Sequence, residues 1–302
     1  MLFDECFDII LYAGNNPLLL DSCRPIKRVN CSRNVLAWSP VTIMADPFLV
    51  VNDETLYLFY EEYKYRGKGI LMATSTNDLV NWSQPWVALE EDFHLSYPWV
   101  FQQDGLWYMI PETSAKHEIR LYKAVDNHFE RFEFVKTLLA HDGGDPYPVM
   151  DYCDSSIVEK DGKFYLFTTL QHGYGNELHL FCSDALDGNY VPHPLSPVVV
   201  GDEYGRNGGH PLDFHGTLYR FAQDCCGEYG KDIHFFKINE LSETRYQESL
   251  VSHNVLTIDG RFGGHQYNFV KFRDKFIIAV DRKHRIPFLA CKVKRLFQLM
   301  KK

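Results

Sequence analysis

Residues 46–61 read DPFLVVNDETLYLFYE, and the same sixteen-residue plan returns four more times along the chain. Residues 97–112 are YPWVFQQDGLWYMIPE and residues 154–169 are DSSIVEKDGKFYLFTT. Residues 208–223 are GGHPLDFHGTLYRFAQ, and residues 266–281 are QYNFVKFRDKFIIAVD. Each copy is an apolar run, a tight turn carrying Asp or Gly, and an aromatic-rich run ending in a polar residue. Asp and Gly suit the positive backbone φ of short hairpin turns. The copies start 51, 57, 54 and 58 residues apart, and repeats at such a period mark propellers or solenoids. Weaker strand patterns at 69–74, 119–124, 178–183 and 232–238 bring each repeat to about four strands, which is one blade.

The expected fold is all-β, a five-bladed β-propeller over residues 1–285. Its blade hairpins start near 46, 97, 154, 208 and 266. Residues before Asp46, including 7–12, are expected to add an edge strand that closes the ring against the last blade. Residues 286–302 are expected to form a short basic helical tail. The stretch 282–302, RKHRIPFLACKVKRLFQLMKK, holds eight Lys or Arg residues and no acid. A basic amphipathic helix can lie on an anionic membrane surface; it can equally pack on a blade with its lysines in water.

Composition supports a large aromatic core. Of 302 residues, 45% are hydrophobic and 15% are Phe, Trp or Tyr. The net charge of −9 argues against nucleic acid as a partner. Eight cysteines show no CxxC pair, so reduced thiols in a cytoplasmic protein are expected, peripheral at the membrane if the tail binds it. The opening MLFDECFDIILYAG has acids before a short apolar run and no basic region, so no signal peptide is expected.

In a propeller the first strand of each blade lines the axis, so the aligned starts gather at one mouth. These are Asp46, Tyr97, Asp154, Gly208 and Gln266, and hairpin geometry returns the aligned ends Glu61, Glu112, Thr169, Gln223 and Asp281 nearby. Acids concentrated around one hole repel and lose solvation, which signals function rather than packing. Sequence neighbourhood adds His94, Arg206, His210, Arg220, Asp224 and His265 to the expected rim. Acids, amides and His can hydrogen-bond a sugar's hydroxyls while aromatics cover its C–H face. No HxH or HExxH spacing, Gly-rich phosphate loop or nucleophile elbow occurs, so neither a catalytic metal nor a cofactor is expected.

These residues carry a resemblance. ADPFLV and DSSIV resemble the blade openings of glycoside hydrolase family 43 propellers. HLSYPWVF-x-x-DG-x-WYMIPE, YRFAQD-x-x-x-x-YG and GGHQYN are more similar to the N-terminal propeller of plant glucosamine inositolphosphorylceramide transferases and their bacterial relatives. The resemblance covers about residues 40–282 and implies carbohydrate chemistry. Asp46 and Asp154 match the first two acids of the hydrolase pattern. Its third, a glutamate on a later blade, has no match, because blade four opens GRNGGHPLDF; Glu112 is the substitute on offer.

The leading expectation is a glycosyltransferase of cell-surface polysaccharide or glycolipid synthesis, taking a sugar donor and a glycan or glycolipid acceptor. Asp46 would be general base, Asp154 would stabilise the oxocarbenium-like centre, and Glu112 would bind hydroxyls or act as acid. His94, Tyr97, Arg206, His210, Arg220, Gln223, Asp224, His265 and Asp281 would bind substrate, with Arg206 and Arg220 on a donor phosphate. The alternatives are a furanosidase-type hydrolase, with Asp46 as base and Glu112 as acid, and a non-catalytic glycan-binding propeller.

Overall fold

Each repeat folds as an antiparallel sheet whose first strand is innermost, in a computed structural model that describes residues 3–31, 41–64, 67–141, 151–172, 175–257 and 263–287. The chain enters on β1 (Phe3–Gly14) and β2 (Arg24–Val29). Blade one is β3 (Val41–Asn52), β4 (Thr55–Lys64), β5 (Gly69–Thr76) and β6 (Trp86–Leu89). Blade two is β7 (Ser96–Gln103), β8 (Leu106–Thr113), β9 (Glu118–Ala124) and β10 (Phe132–Ala140). Blade three is β11 (Asp151–Lys160), β12 (Lys163–His172) and β13 (Gly175–Ser183), edged by β14 (Val191–Pro192) and β15 (Val199–Val200). In blade four, β16 (Arg206–Asn207) and β17 (Leu212–Phe214) share the inner position against β18 (Thr217–Asp224), followed by β19 (Asp232–Leu241) and β20 (Tyr246–Ser252).

Blade five joins the two ends of the chain. β21 (Tyr267–Phe272) and β22 (Lys275–Pro287) are completed by β1 and then β2. β1 pairs with β22 from Phe3↔Pro287 to Gly14↔Phe276. The N-terminal residues are therefore not a single edge strand: β1 is the third strand of its blade and β2 is the edge.

Side-chain alternation explains why the strands are apolar on both faces. Leu56, Leu58 and Tyr60 of β4 pack with Ile277 and Ala279 of blade five, whereas Tyr57 and Phe59 pack toward blade two. Ile278 and Val280 of β22 turn the other way, onto Phe221 and Phe235 of blade four. Successive residues point to opposite faces, and here both faces meet a neighbouring blade. Each fully buried large apolar side chain contributes about 1.5–3 kcal/mol.

One irregularity recurs. The ladder steps from Ala45↔Glu61 to Phe48↔Phe59, from Ser96↔Glu112 to Trp99↔Ile110, and from Cys153↔Thr169 to Ser156↔Phe167. Two inner residues thus face one partner residue, a β-bulge at the same place in three blades. The bulged residues Asp46, Tyr97 and Asp154 have φ of 51°, 48° and 52°, the left-handed region that bulky residues rarely adopt. Blade four instead breaks its inner strand at Gly208–Gly209, where Gly209 has φ 142° and a Cβ would meet the Tyr267 carbonyl at 2.1 Å.

These irregular sites link the blades into a ring. The N–H of Tyr97 donates to Asp46 Oδ2 (3.0 Å) and that of Asp154 to Glu112 Oε2 (3.1 Å). The N–H of Asn207 donates to Thr169 Oγ1 (3.0 Å), and that of Tyr267 to the Gly208 carbonyl (2.7 Å). The N–H of Asp46 donates to Asp281 Oδ2 (3.3 Å) and closes the circle.

The expected helical tail is not supported. Ile286 and Pro287 continue β22 across the expected domain boundary, and Arg282 and Lys283 are buried within that strand. Residues 288–302, most of the expected tail, lie outside the described residues. Described helix amounts to two single-turn 3-10 segments, at Leu20–Ser22 and Ser114–Lys116. No described helix is long and apolar enough to cross a membrane.

The ring gives a direct stability test. Asp281→Ala strands the N–H groups of Asp46, His265 and Gln266, all of which donate to this carboxylate. It also leaves the buried His265 ring short of a counter-charge. Urea unfolding should show a loss of about 3–5 kcal/mol, while Asp274→Ala, whose side chain is 84% exposed, should stay within about 0.5 kcal/mol of the parent.

Candidate active site

The bulges open onto a cavity of about 280 Å³ at the axial mouth. Asp46, Glu61, Glu112, Asp154, Arg206 and His265 line it, and Phe7, Tyr63, His94 and Tyr229 add walls. A left-handed bulge turns the side chain of the inner strand away from ordinary alternation, which is how Asp46 and Asp154 come to face the cavity. Strain of this kind costs on the order of 1–3 kcal/mol per residue and persists where surroundings over-determine it. The ring of hydrogen bonds supplies that restraint.

His265 sits between two carboxylates. Its Nε2 is 3.1 Å from Asp46 Oδ1 and its Nδ1 is 2.9 Å from Asp281 Oδ2. The Nδ1 contact is off the hydrogen-bonding line and acts as an ion pair. Burial favours the neutral ring, but Asp281 and Asp46 together outweigh it and raise the His265 pKa to about 10. A Cβ on Gly264 would lie 2.6 Å from Asp281 Oδ1, so glycine is needed for this approach. For Asp46, burial opposes ionisation, yet the His265 charge, the Tyr97 N–H and Arg206 prevail and hold it below the usual carboxylate range.

The other acids differ. Arg206 Nε donates to Asp154 Oδ2 at 2.7 Å. Even so, burial, with the charges of Glu112 and Asp46, pushes the Asp154 pKa up to about 8. Glu112 accepts from Ser114 Oγ at 2.8 Å and from the Asp154 N–H at 3.1 Å. Glu61 is raised well above the carboxylate range, first by burial and then by the Asp46 charge. His94 Nδ1 accepts the Gly69 N–H at 2.9 Å, which turns Nε2 toward Glu61 Oε1 at 3.5 Å.

Of the residues chosen from sequence, Asp46, Asp154, Glu112, His94, Arg206 and His265 line the cavity, and Asp281 stands directly behind His265. The other five, like Asp281, do not line it. Tyr97 contributes its backbone N–H while its ring is buried against Phe48, centroids 4.8 Å apart. His210 lies beside Phe48 and Trp99, accepts from Asn268, and is pushed by burial down to about 3. Arg220 is fully buried and spends its guanidinium on Glu248, at 2.7 and 2.6 Å, and on the Tyr204 carbonyl. It is not placed to hold a donor phosphate. Gln223 is buried next to Arg206 in the β16–β18 ladder, and Asp224 pairs with Lys231 at 2.7 Å.

Sequence reasoning missed Phe7, Tyr63 and Tyr229 and left Glu61 without a role. Tyr229 follows β18 in the hairpin loop and is 42% exposed, with the Arg206 guanidinium 5.1 Å above its ring. An exposed ring beside fixed polar groups suits a sugar's C–H face. The Tyr-Gly pair that ends the YRFAQD-x-x-x-x-YG motif marked this position.

Among the described residues, two clusters each bring three possible metal ligands together, Asp46–His265–Asp281 and Glu203–His234–His253. In the first, the imidazole is held protonated and has no free lone pair to offer. In the second, His234 Nδ1 accepts the Asn254 N–H at 3.2 Å. That leaves the proton on Nε2, where a metal would need a bare nitrogen.

Residues 7–271 match the family described as glucosamine inositolphosphorylceramide transferase 1, N-terminal. The chain belongs to this family. It is 32% identical to glucosamine inositolphosphorylceramide transferase 1 of Oryza sativa subsp. japonica over 287 residues, covering 87% of this chain and 37% of the rice protein. The Arabidopsis thaliana protein of the same name is 32% identical over 267 residues, covering 80% and 33%. The chain thus spans about a third of the length of these curated relatives. An α-L-arabinofuranosidase of Clostridium thermocellum shares the fold at TM-score 0.57 and 15% identity, covering 78% of this chain and 80% of that one. A family 117 glycoside hydrolase of Zobellia galactanivorans does so at TM-score 0.54 and 12% identity, covering 80% and 84%.

The charge pattern predicts an unusual pH response. Asp154 at about 8 and His265 at about 10 both lie above their ordinary values of 3.8 and 6.5, so the folded state binds these protons more tightly. Their stabilisation is present at low pH and is lost as pH rises, between about 4 and 8 for Asp154 and between about 6.5 and 10 for His265. Melting temperature followed from pH 5 to 9 should fall less steeply below pH 8 in Asp154→Asn than in the parent. Identical slopes would contradict the raised Asp154.

Proposed function

We propose that the chain is a carbohydrate-active propeller that binds one sugar unit in its axial cavity and transfers the glycosyl group during assembly of a cell-surface glycan or glycolipid. One observation carries this reading. Asp46 is kept ionised at the cavity wall by His265 and the Tyr97 N–H, while Asp154 and Glu61 beside it are pushed toward the neutral form. Carboxyls whose pKa values are driven apart within one site are the signature of acid–base chemistry.

At about 280 Å³ the cavity lies just below the ~300–1,000 Å³ common for ligand pockets. That is room for one sugar ring. Asp46 takes the proton from an acceptor hydroxyl, neutral carboxyls and His94 hydrogen-bond the ring hydroxyls, and Tyr229 covers a C–H face. The name of the curated relatives joins glucosamine to an inositolphosphorylceramide, so an amino-hexose and a polar lipid headgroup are the substrate classes proposed.

The length of the relatives favours a second reading. The chain spans 37% of the rice protein, and a propeller within a longer enzyme can hold a glycan without turning it over. The hydrolase reading uses the same carboxyls with water as acceptor.

Incubation with activated amino-hexose donors, with and without an inositol phosphate acceptor, separates these outcomes. Transfer to the acceptor is expected, and Asp46→Asn should lower it by about 10²–10⁴-fold with an unchanged circular dichroism spectrum. Free sugar as the main product supports hydrolysis. Saturable sugar binding with no product from any donor supports the binding module and ends the catalytic reading.

A further inference from the structure

The aligned strand ends of the five blades do not all have the same work. In the ring of inter-blade hydrogen bonds, Glu112, Thr169 and Asp281 each accept a neighbouring blade's N–H at the aligned position of the second strand. Blade four uses the Gly208 carbonyl instead. In blade one the acceptor is Asp46, from the bulge itself. Its strand-end acid, Glu61, is left over from the ring. It is 6% exposed, its carboxyl faces the cavity, and among the described residues no N–H or O–H donates to it within hydrogen-bonding distance. His94 Nε2 approaches only to 3.5 Å.

We propose that Glu61 is the catalytic acid of this cavity, delivering its proton to the oxygen that departs from the bound sugar. The proposal rests on the glycosyl-transfer reading above and deepens it. Glu112, its counterpart on the next blade, is already committed, because its two oxygens accept hydrogen bonds from Ser114 Oγ and from the Asp154 N–H of the ring. Glu61 has the opposite surroundings: burial and the neighbouring Asp46 charge favour its protonated form, and among the described residues no donor holds its carboxyl. In the step, the sugar's C–O bond breaks with its electron pair going to the departing oxygen, which takes the Glu61 proton. The incoming hydroxyl forms the new C–O bond and gives its proton to Asp46. The two carboxyls, both lining the cavity, then exchange protons with solvent.

The test uses the full chain and two readouts. Carbon-13 NMR of glutamate-labelled protein identifies the Glu61 carboxyl as the signal missing from Glu61→Gln. It should be protonated at pH 7, and a signal titrating with the ordinary glutamates would overturn the proposal without any assay. In turnover, Glu61→Gln should lose about 10²–10⁴-fold on a donor with a poor oxygen leaving group. It should stay within a few-fold of the parent when the leaving group needs no protonation, and Glu61→Asp should recover part of the loss. Melting temperatures confirm that each variant folds. Turnover by the parent with Glu61→Gln equally active on both donors overturns the Glu61 role alone. No turnover by the parent on any donor overturns the glycosyl-transfer reading and this role with it.

Discussion

Five backbone N–H groups, one from each blade, point across to an acceptor on a neighbouring blade at the axial mouth, and the geometry of this end of the molecule follows from satisfying them. Ordinary strand pairing cannot do so, because a regular inner strand spends its N–H groups within its own sheet or on the axis. The bulges at Asp46, Tyr97 and Asp154 release one N–H each by placing two residues opposite one. A left-handed Tyr97 is costly in isolation. It persists because its N–H bonds the Asp46 carboxylate and its ring is packed in the core between blades one and two.

The same contacts set the chemistry. Asp46 and Asp281 accept backbone protons and flank His265, so three buried groups carry two negative charges and one positive charge inside a small volume. Arg206 brings a further cation to Asp154. Even with these two cations the acids of the cavity cannot all ionise, and Asp154 and Glu61 are pushed toward the neutral form. Structural and chemical duty are therefore divided among equivalent positions: blades two and five commit their strand-end acids to holding the ring, and blade one keeps its own free.

Closure of the ring depends on the chain's first strand. β1 lies between β22 and β2, with Ile9 and Leu11 facing blade one and Ile10 facing blade four. The N-terminus thereby reaches the site as well, since Phe7 lines the cavity and packs edge-on to His265 with centroids 4.5 Å apart. The matched family region begins at this same residue. Fold membership and site assembly share one segment.

The architecture was written locally. Five hairpins with Asp or Gly turns, apolar on both faces, can form only where sheets stack on sheets, and their spacing left room for one blade each. The acids at aligned positions were legible for the same reason, since a repeat returns equivalent residues to equivalent places. Reading by adjacency was right for His94, Arg206 and His265, which line the cavity, but not for His210, Arg220 and Asp224, which do not. Arg220, Gln223 and Asp224 are close in sequence to one another and to the expected rim, yet successive strand residues face opposite sides. Arg220 was turned into the packing beside Phe236 and Glu248 instead. Tyr97 aligned with two cavity acids, but its bulk sent the ring to the core and left only its backbone at the mouth. The roles of Glu61 and Glu112 could not be separated from sequence at all. They occupy the same position in successive repeats, and only the neighbouring blade decides whether a backbone N–H arrives at the carboxyl, as at Glu112, or does not, as at Glu61.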